Sequence, residues 1–324
     1  MLQKIKLFTA LTMLSWASAC AYSHPPPGGW AVSGDYLYML PTFDDTYFVI
    51  DSPVTSAFPN GTRENNDFRF STGYRVGGVL GLDVGREFQA YYTNLGVDRS
   101  KTITGDFLWA TIGQSNLVTV FENYAGAATS NLHLLYQRAD GILAQQAFNF
   151  EGADLFLNFG VEYAYLRLNE DYQYSVTGGA VATIDRRSKA WGIGPQAGFE
   201  LDYEFANCCC WPGAIMMKAV SSASLLDCRC THSDVNILSG ATLLRTSDKS
   251  TWRIIPALHA RVSINMESYT CWGVVGIEIG YEFNSYIRGL TRVMYPDDEA
   301  DSLSYNDYSN FDVQGLFLSA TLGF

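Results

Sequence analysis

The chain has 324 residues, with 21 Lys+Arg against 33 Asp+Glu for a formal charge of −12, and 48% of its residues are hydrophobic against 17% charged. The high apolar fraction with 14% aromatics excludes disorder, the acidic balance excludes a phosphate-binding surface for nucleic acid, and no mature segment has the roughly 18 consecutive apolar residues of a membrane helix. An all-β chain fits best, because 29 Gly, 20 Tyr and 19 Phe suit tight turns and pleated, half-buried surfaces.

Lys4 and Lys6 precede the apolar run Leu7 to Leu14, and Ala17-Ser18-Ala19 follows as a small-residue cleavage site. Residues 1–21 therefore read as a secretory signal, with cleavage after Ala19 or Ala21. Cys20 raises the alternative of a lipidated first residue, although Ala17 stands where a lipoprotein signal would hold Leu. Loss of the signal removes two Lys and no acid, so the mature charge is 19 − 33 = −14. Residues 22–28, with Pro25-Pro26-Pro27, form a Pro-rich extended lead. The rest, 29–324, reads as one domain.

Ten strands are expected in this domain, near 29–40, 69–83, 87–97, 131–141, 153–168, 189–205, 212–226, 251–266, 271–287 and 312–324. In the first, Trp30, Tyr36 and Tyr38 mark the apolar face. The 131–141 strand is the least regular, because Leu134-Leu135 blurs its phase. In the fifth, Leu155, Leu157, Phe159, Val161, Tyr163 and Tyr165 oppose Asp154, Asn158, Gly160 and Glu162. From Trp191 to Phe205, Ile193, Pro195, Ala197, Phe199, Leu201 and Tyr203 oppose Gly192, Gly194, Gln196, Gly198, Glu200, Asp202 and Glu204. Trp252, Ile254, Leu258, Val262 and Ile264 alternate with Arg253, His259, Arg261 and Ser263. Val275, Ile277, Ile279, Tyr281 and Phe283 alternate with Gly276, Glu278, Gly280, Glu282 and Asn284. The final strand turns Leu316, Leu318, Ala320, Leu322 and the terminal Phe324 to one side.

Period-two runs of this length exceed the usual five or six residues of a strand and match the 9–11 or so needed to cross a bilayer at a tilt. Aromatics gather at the ends of the apolar faces, as interfacial girdles do. Connections at 83–86, 145–152, 206–211 and 266–268 are short. Those near 42–68, 98–130, 169–188, 227–250 and 288–311 are long and polar. This alternation predicts a closed antiparallel transmembrane β-barrel of ten strands, or else twelve, in a bacterial outer membrane. Its even strand number puts both termini on the short-turn side.

Four segments carry a family resemblance: Gly29-Trp30 leading to Asp35-Tyr36-Leu37-Tyr38; Trp191-Gly192-Ile193-Gly194-Pro195-Gln196-Ala197-Gly198; Trp252-Arg253-Ile254-Ile255-Pro256-Ala257-Leu258; and Glu278-Ile279-Gly280-Tyr281-Glu282-Phe283. In order and over nearly the whole mature chain, they resemble the Legionella-type major outer membrane proteins and their cysteine-richer relatives from chlamydia-like bacteria. The resemblance implies a pore-forming outer-membrane barrel with adhesive surface loops. The run Cys208-Cys209-Cys210 departs from the Legionella members.

The alternation turns Asp35, Asp154, Glu162, Glu200, Asp202, Glu204, Glu278 and Glu282 inward, with Arg75, Lys218, Arg253 and Arg261. Two readings follow. In a water-filled channel the excess of acids would favour cations and pass small hydrophilic solutes and ions. In a narrow ten-strand barrel the same groups would pair into a salt-bridged plug. Cysteines in an exported chain favour disulfides. Cys208, Cys209, Cys210 and Cys271 are expected at the periplasmic rim and Cys228 and Cys230 at the opposite end, serving either local bridges or links to other envelope chains or to further copies. Consecutive thiols point alternately and do not converge on a metal. Neither metal nor cofactor is expected.

Catalysis has weak support. A protease-like barrel would use Asp44-Asp45 against His232 and Asp234, and a phospholipase would need a Ser beside His133 or His259. No flanking motif supports either, and acids are common loop residues. A non-conducting adhesive or structural barrel is the third reading, with Tyr305-Asn306-Asp307-Tyr308-Ser309-Asn310 on its surface.

Overall fold

Alternating side chains of the kind seen in Trp191–Phe205 become stable only if every strand finds two neighbours, since an unpaired edge in hydrocarbon leaves amides unsatisfied. The computed structural model describes residues 24–44, 46–53, 61–111, 125–150, 152–176, 181–207, 213–238, 240–247, 250–294 and 305–324. Among them every regular element is a strand: β1 Trp30–Phe43, β2 Tyr47–Asp51, β3 Thr62–Asn65, β4 Ser71–Asp83, β5 Arg86–Ala110, β6 Ala125–Phe150, β7 Ala153–Val176, β8 Val181–Asn207, β9 Gly213–Leu238, β10 Ala241–Ser247, β11 Thr251–Thr270, β12 Gly273–Met294 and β13 Tyr305–Gly323. Ten close a ring in the order β1, β4, β5, β6, β7, β8, β9, β11, β12, β13 and back to β1. Every ring pair is antiparallel. The ring joins first and last strands from Ala31 opposite Gly323 to Phe43 opposite Phe311, and Trp30 N donates to Phe324 O at 3.0 Å. Both ends of the barrel chain thus lie together at the short-turn rim, as expected. The proposed signal lies outside the described residues.

The short turns need backbone that glycine supplies: Gly85 between β4 and β5 has φ 68° and Gly152 between β6 and β7 has φ 79°. The β11–β12 turn falls at Cys271-Trp272, a few residues beyond the expected 266–268. Residues 208–212, where the Cys208–Cys210 run was placed, lie outside the described residues.

The long polar connections are the main correction. β5 continues through 98–110, β6 starts at Ala125, β7 runs to Val176, β8 starts at Val181, and β9 and β12 reach Leu238 and Met294. Much of what reads as loop is strand, because above the lipid the outer face meets water and the apolar period fades while the hydrogen-bond ladder continues. At about 3.4 Å per residue and the usual tilt, the 26 residues of β6 rise roughly 65 Å, against a lipid belt of about 25 Å. The barrel therefore projects well beyond the outer leaflet. The segment before β4 also folds back: β2 pairs with the upper end of β5, Val49 opposite Ala110, and with β3.

The outward phase is as read. Tyr36, Val76, Phe88, Phe159, Ile193, Phe199, Val262, Ile279 and Leu318 are all exposed. In the belt between the aromatic rows, the described outward positions carry no Asp, Glu, Lys or Arg. The inward phase is close-packed. Leu37, Met39, Leu95, Leu134, Tyr136, Leu166, Leu226, Ile255, Tyr286, Phe311 and Val313, drawn from eight strands, form one buried apolar cluster in the upper lumen. Phe48 and Val49 of β2 join it from above, each fully buried. Tyr174 OH donates to Phe48 O at 2.6 Å, and the Phe48 ring stacks over Tyr172.

Candidate functional site in the barrel lumen

Below the apolar cluster the inward positions carry charge. Arg75 on β4 is the centre of one group: Nη2 donates to both Glu282 oxygens at 2.6 and 2.5 Å, Nη1 to Asp35 Oδ2 at 3.2 Å, and Nε to Thr93 Oγ1 at 3.0 Å. Arg261 bridges the same Asp35 at 3.7 Å and Glu278 at 2.8 Å, its guanidinium lying 3.8 Å over the Phe317 ring. Four strands meet here, because β1, β4, β11 and β12 present Asp35, Arg75, Arg261 and the two glutamates in the same pleat phase.

Glu162 on β7, at 0% exposure, centres the second group. It accepts from Ser224 Oγ at 2.6 Å and Tyr286 OH at 2.9 Å, and lies 2.8 Å from His259 Nε2. Arg138 lies 3.6 Å from it and 2.8 Å from Asp140. Asn284 Oδ1 accepts from Arg138 Nη1 at 3.0 Å and lies 2.9 Å from His259 Nδ1. Lower still, Lys218 reaches Glu200 at 3.1 Å and Asp202 at 3.7 Å. At the periplasmic mouth His24 of the lead bridges Glu87 and Asp202. Charged hydrogen bonds this numerous satisfy groups that would be costly to bury alone. A cavity of about 140 Å³ remains among them, lined by Arg75, Arg138, Lys218, Arg261, Glu200, Glu278, Glu282 and His259.

The structure brings together Asp35, Arg75, Arg261, Glu278 and Glu282, places Glu162 beside them, and sets Lys218, Glu200 and Asp202 beneath. All stand on the inward phase of their strands. They are paired across the lumen by salt bridges. The reason is width: ten strands leave room for side chains to meet. Asp154 sits apart at the lower rim, accepting from Gln146 and Asn149, and Glu204 lies near that rim on β8. Arg253 sits above the waist, donating to Cys230 Sγ and lying over the Tyr308 ring.

Sequence reasoning missed Arg138, Asp140, Glu87 and Glu267. Phe88, Ala90 and Tyr92 alternate with Glu87 and Gln89, and carrying that period through would have found Glu87. Arg138 and Asp140 lie on the strand whose phase Leu134-Leu135 obscures; Leu134 points into the apolar cluster and Leu135 away, so both faces are greasy there.

The described residues weighed for catalysis fall on several separate elements. Asp44 follows β1, Asp45 lies outside the described residues, and His232 and Asp234 face inward on β9. Asp234 is taken up by Arg186 at 3.2 Å. His133 lies on the outside with Asp98, far from the buried His259. Cys228 and Cys230 are buried free thiols, and Cys271 is an exposed one; the structure contains no disulfide among these three.

A closed ring with a charge-free apolar belt, aromatic rows and a buried polar waist defines an outer-membrane β-barrel. The family model described as the Legionella pneumophila major outer membrane protein precursor matches residues 25–324. The chain belongs to that family, and its place is the bacterial outer membrane. No curated protein matches it. Among solved structures, it is similar to the outer membrane protease OmpT from Escherichia coli at 10% identity and TM-score 0.44, covering 94% of this chain and 98% of that one. It is also similar to the toluene transporter TodX from P. putida at 10% identity and TM-score 0.40, with 94% of each chain covered, and to the outer membrane protein AlkL at 11% identity and TM-score 0.27, covering 94% and 93%.

Proposed function

We propose that this barrel is a gated outer-membrane pore for small cations and hydrophilic solutes, and that the arrangement described is its shut form. The observation that carries the reading is the charge imbalance of the lumen. Among the described buried and half-buried residues of the lumen, Asp35, Glu87, Asp140, Glu162, Glu200, Asp202, Glu267, Glu278 and Glu282 lie at and below the waist with Arg75, Arg138, Lys218, Arg261 and two histidines, while Arg186 and Arg292 above it are matched by Asp234 and Glu170. Burying that many acids costs stability that an inert core would not surrender, whereas a conduit uses the excess to draw cations. The apolar cluster and β2 above the waist are the gate. No catalytic step is part of the proposal. Cys271, exposed at the periplasmic rim, is a described thiol placed to link with another envelope protein or a second copy.

The test is single-channel recording of the purified protein in planar bilayers under a salt gradient. The expected record has brief, discrete openings with cation preference, lengthened when Phe48→Ala loosens the gate. Inserted protein that gives no steps in either form overturns the pore. The seal itself favours the second reading, a solid-cored surface barrel.

A further inference from the structure

We propose that His24, Glu200 and Asp202 form a site for one divalent transition-metal ion of the zinc class at the periplasmic mouth, with Glu87 orienting the imidazole. One donor atom from each of the three lies within 4.8 Å of the others. His24 Nε2 is 2.9 Å from Asp202 Oδ2, while a tetrahedral ion with bonds near 2.0–2.1 Å needs donors about 3.3 Å apart. That pair needs to open by only a few tenths of an ångström, and Glu200 completes the set from within 4.8 Å. The other ring nitrogen, Nδ1, lies 2.8 Å from Glu87 Oε2, the carboxylate–histidine–metal arrangement that fixes ring tautomer and direction. One imidazole with two carboxylates suits zinc-class ions, whereas magnesium and calcium take oxygen ligands.

A separate observation points the same way. Glu267 on β11, 4% exposed, leaves its Oε2 without a hydrogen bond among the described residues, and it stands close enough to Lys218, His24 and Asp202 to interact with their charges. Glu87, Glu200, Asp202 and Glu267 thus share one permanent cation, Lys218, since a ligating His24 is neutral, and a divalent ion is the charge that such a cluster lacks. Lys218 is the internal competitor, 3.1 Å from Glu200. The ligands come from the lead and β8, with the orienting Glu87 on β5, and the imidazole stacks 3.9 Å from the Phe156 ring. A bound ion would fasten the lead across the mouth of the barrel.

The test is calorimetric titration of the full mature chain with Zn2+ in detergent, after carbamidomethylation of accessible thiols. Binding is read without conductance, so the site stands or falls apart from the pore. The expected result is one Zn2+ per chain, weakened at least tenfold by His24→Ala and by Asp202→Asn and tightened by Lys218→Met, with Mg2+ unable to compete at equal concentration. His24 lies outside the ring strands, and retained heat-modifiable migration on electrophoresis confirms that each variant is folded. No Zn2+ bound at about 0.1 mM, a smaller loss in folded His24→Ala, or equal competition by Mg2+ overturns the proposal.

Discussion

Replacing Arg75 with methionine tests whether the waist of the barrel is dry. The substitution keeps most of the side-chain volume and removes the charge that holds Glu282 at 2.5 Å and Asp35 at 3.2 Å. Both carboxylates are almost wholly enclosed, and the nearest remaining cation, Arg261, is 3.7 Å from Asp35 and committed to Glu278. Taking one partner from a buried pair costs about 3–5 kcal/mol, because the other charge is stranded. The same loss from a solvated pair costs about 0–1 kcal/mol. Reversible urea unfolding in phosphocholine vesicles measures the difference. Adding Glu282→Gln and Asp35→Asn to Arg75→Met should return stability to within about 1 kcal/mol of the parent, since no charge is then stranded. A cost below about 1 kcal/mol for Arg75→Met alone would refute the enclosed network. It would mean that water fills the waist and screens it.

Ile279 stands on the outer face of β12 at 57% exposure, in the middle of the belt. Ile279→Arg should cost about 2–4 kcal/mol in the same assay, and a neutral result would misplace the membrane. In the folded barrel, maleimide should label Cys271 rapidly and leave Cys228 and Cys230 unlabelled until denaturant is added, as peptide mapping would report. Prompt labelling of Cys228 or Cys230 would show that the upper lumen is open to solvent.

Wherever lipid imposes one wet and one greasy face, the amino-acid order reveals the strand. The outward sets Ile193–Phe205, Val275–Phe283 and Leu316–Phe324 all face as their alternation requires, and the ring has the expected ten members. Above the belt that constraint ends. β6 begins at Ala125 and β9 continues to Leu238 through residues whose two faces both meet polar surroundings or both meet apolar ones, so no period marks the continuation. The site was half legible for a related reason. Alternation says which way Glu162 or Arg75 points, but which charge meets which depends on register around a closed ring. Arg75 and Glu282 are 207 positions apart and stand on β4 and β12, with β1 and β13 between them. The inward segment Tyr47–Asp51 left no mark at all, since a short apolar stretch inside a polar connection resembles any surface strand.

Pairing of Ala31 with Gly323 and of Phe43 with Phe311 makes the seam between opening and closing strands the last ladder that can form. Until residues 311–323 meet residues 31–43, the wall has two raw margins that lipid cannot tolerate. Such a chain must travel unassembled and then zip shut as a unit, with contacts so distant in sequence that spontaneous closure is slow.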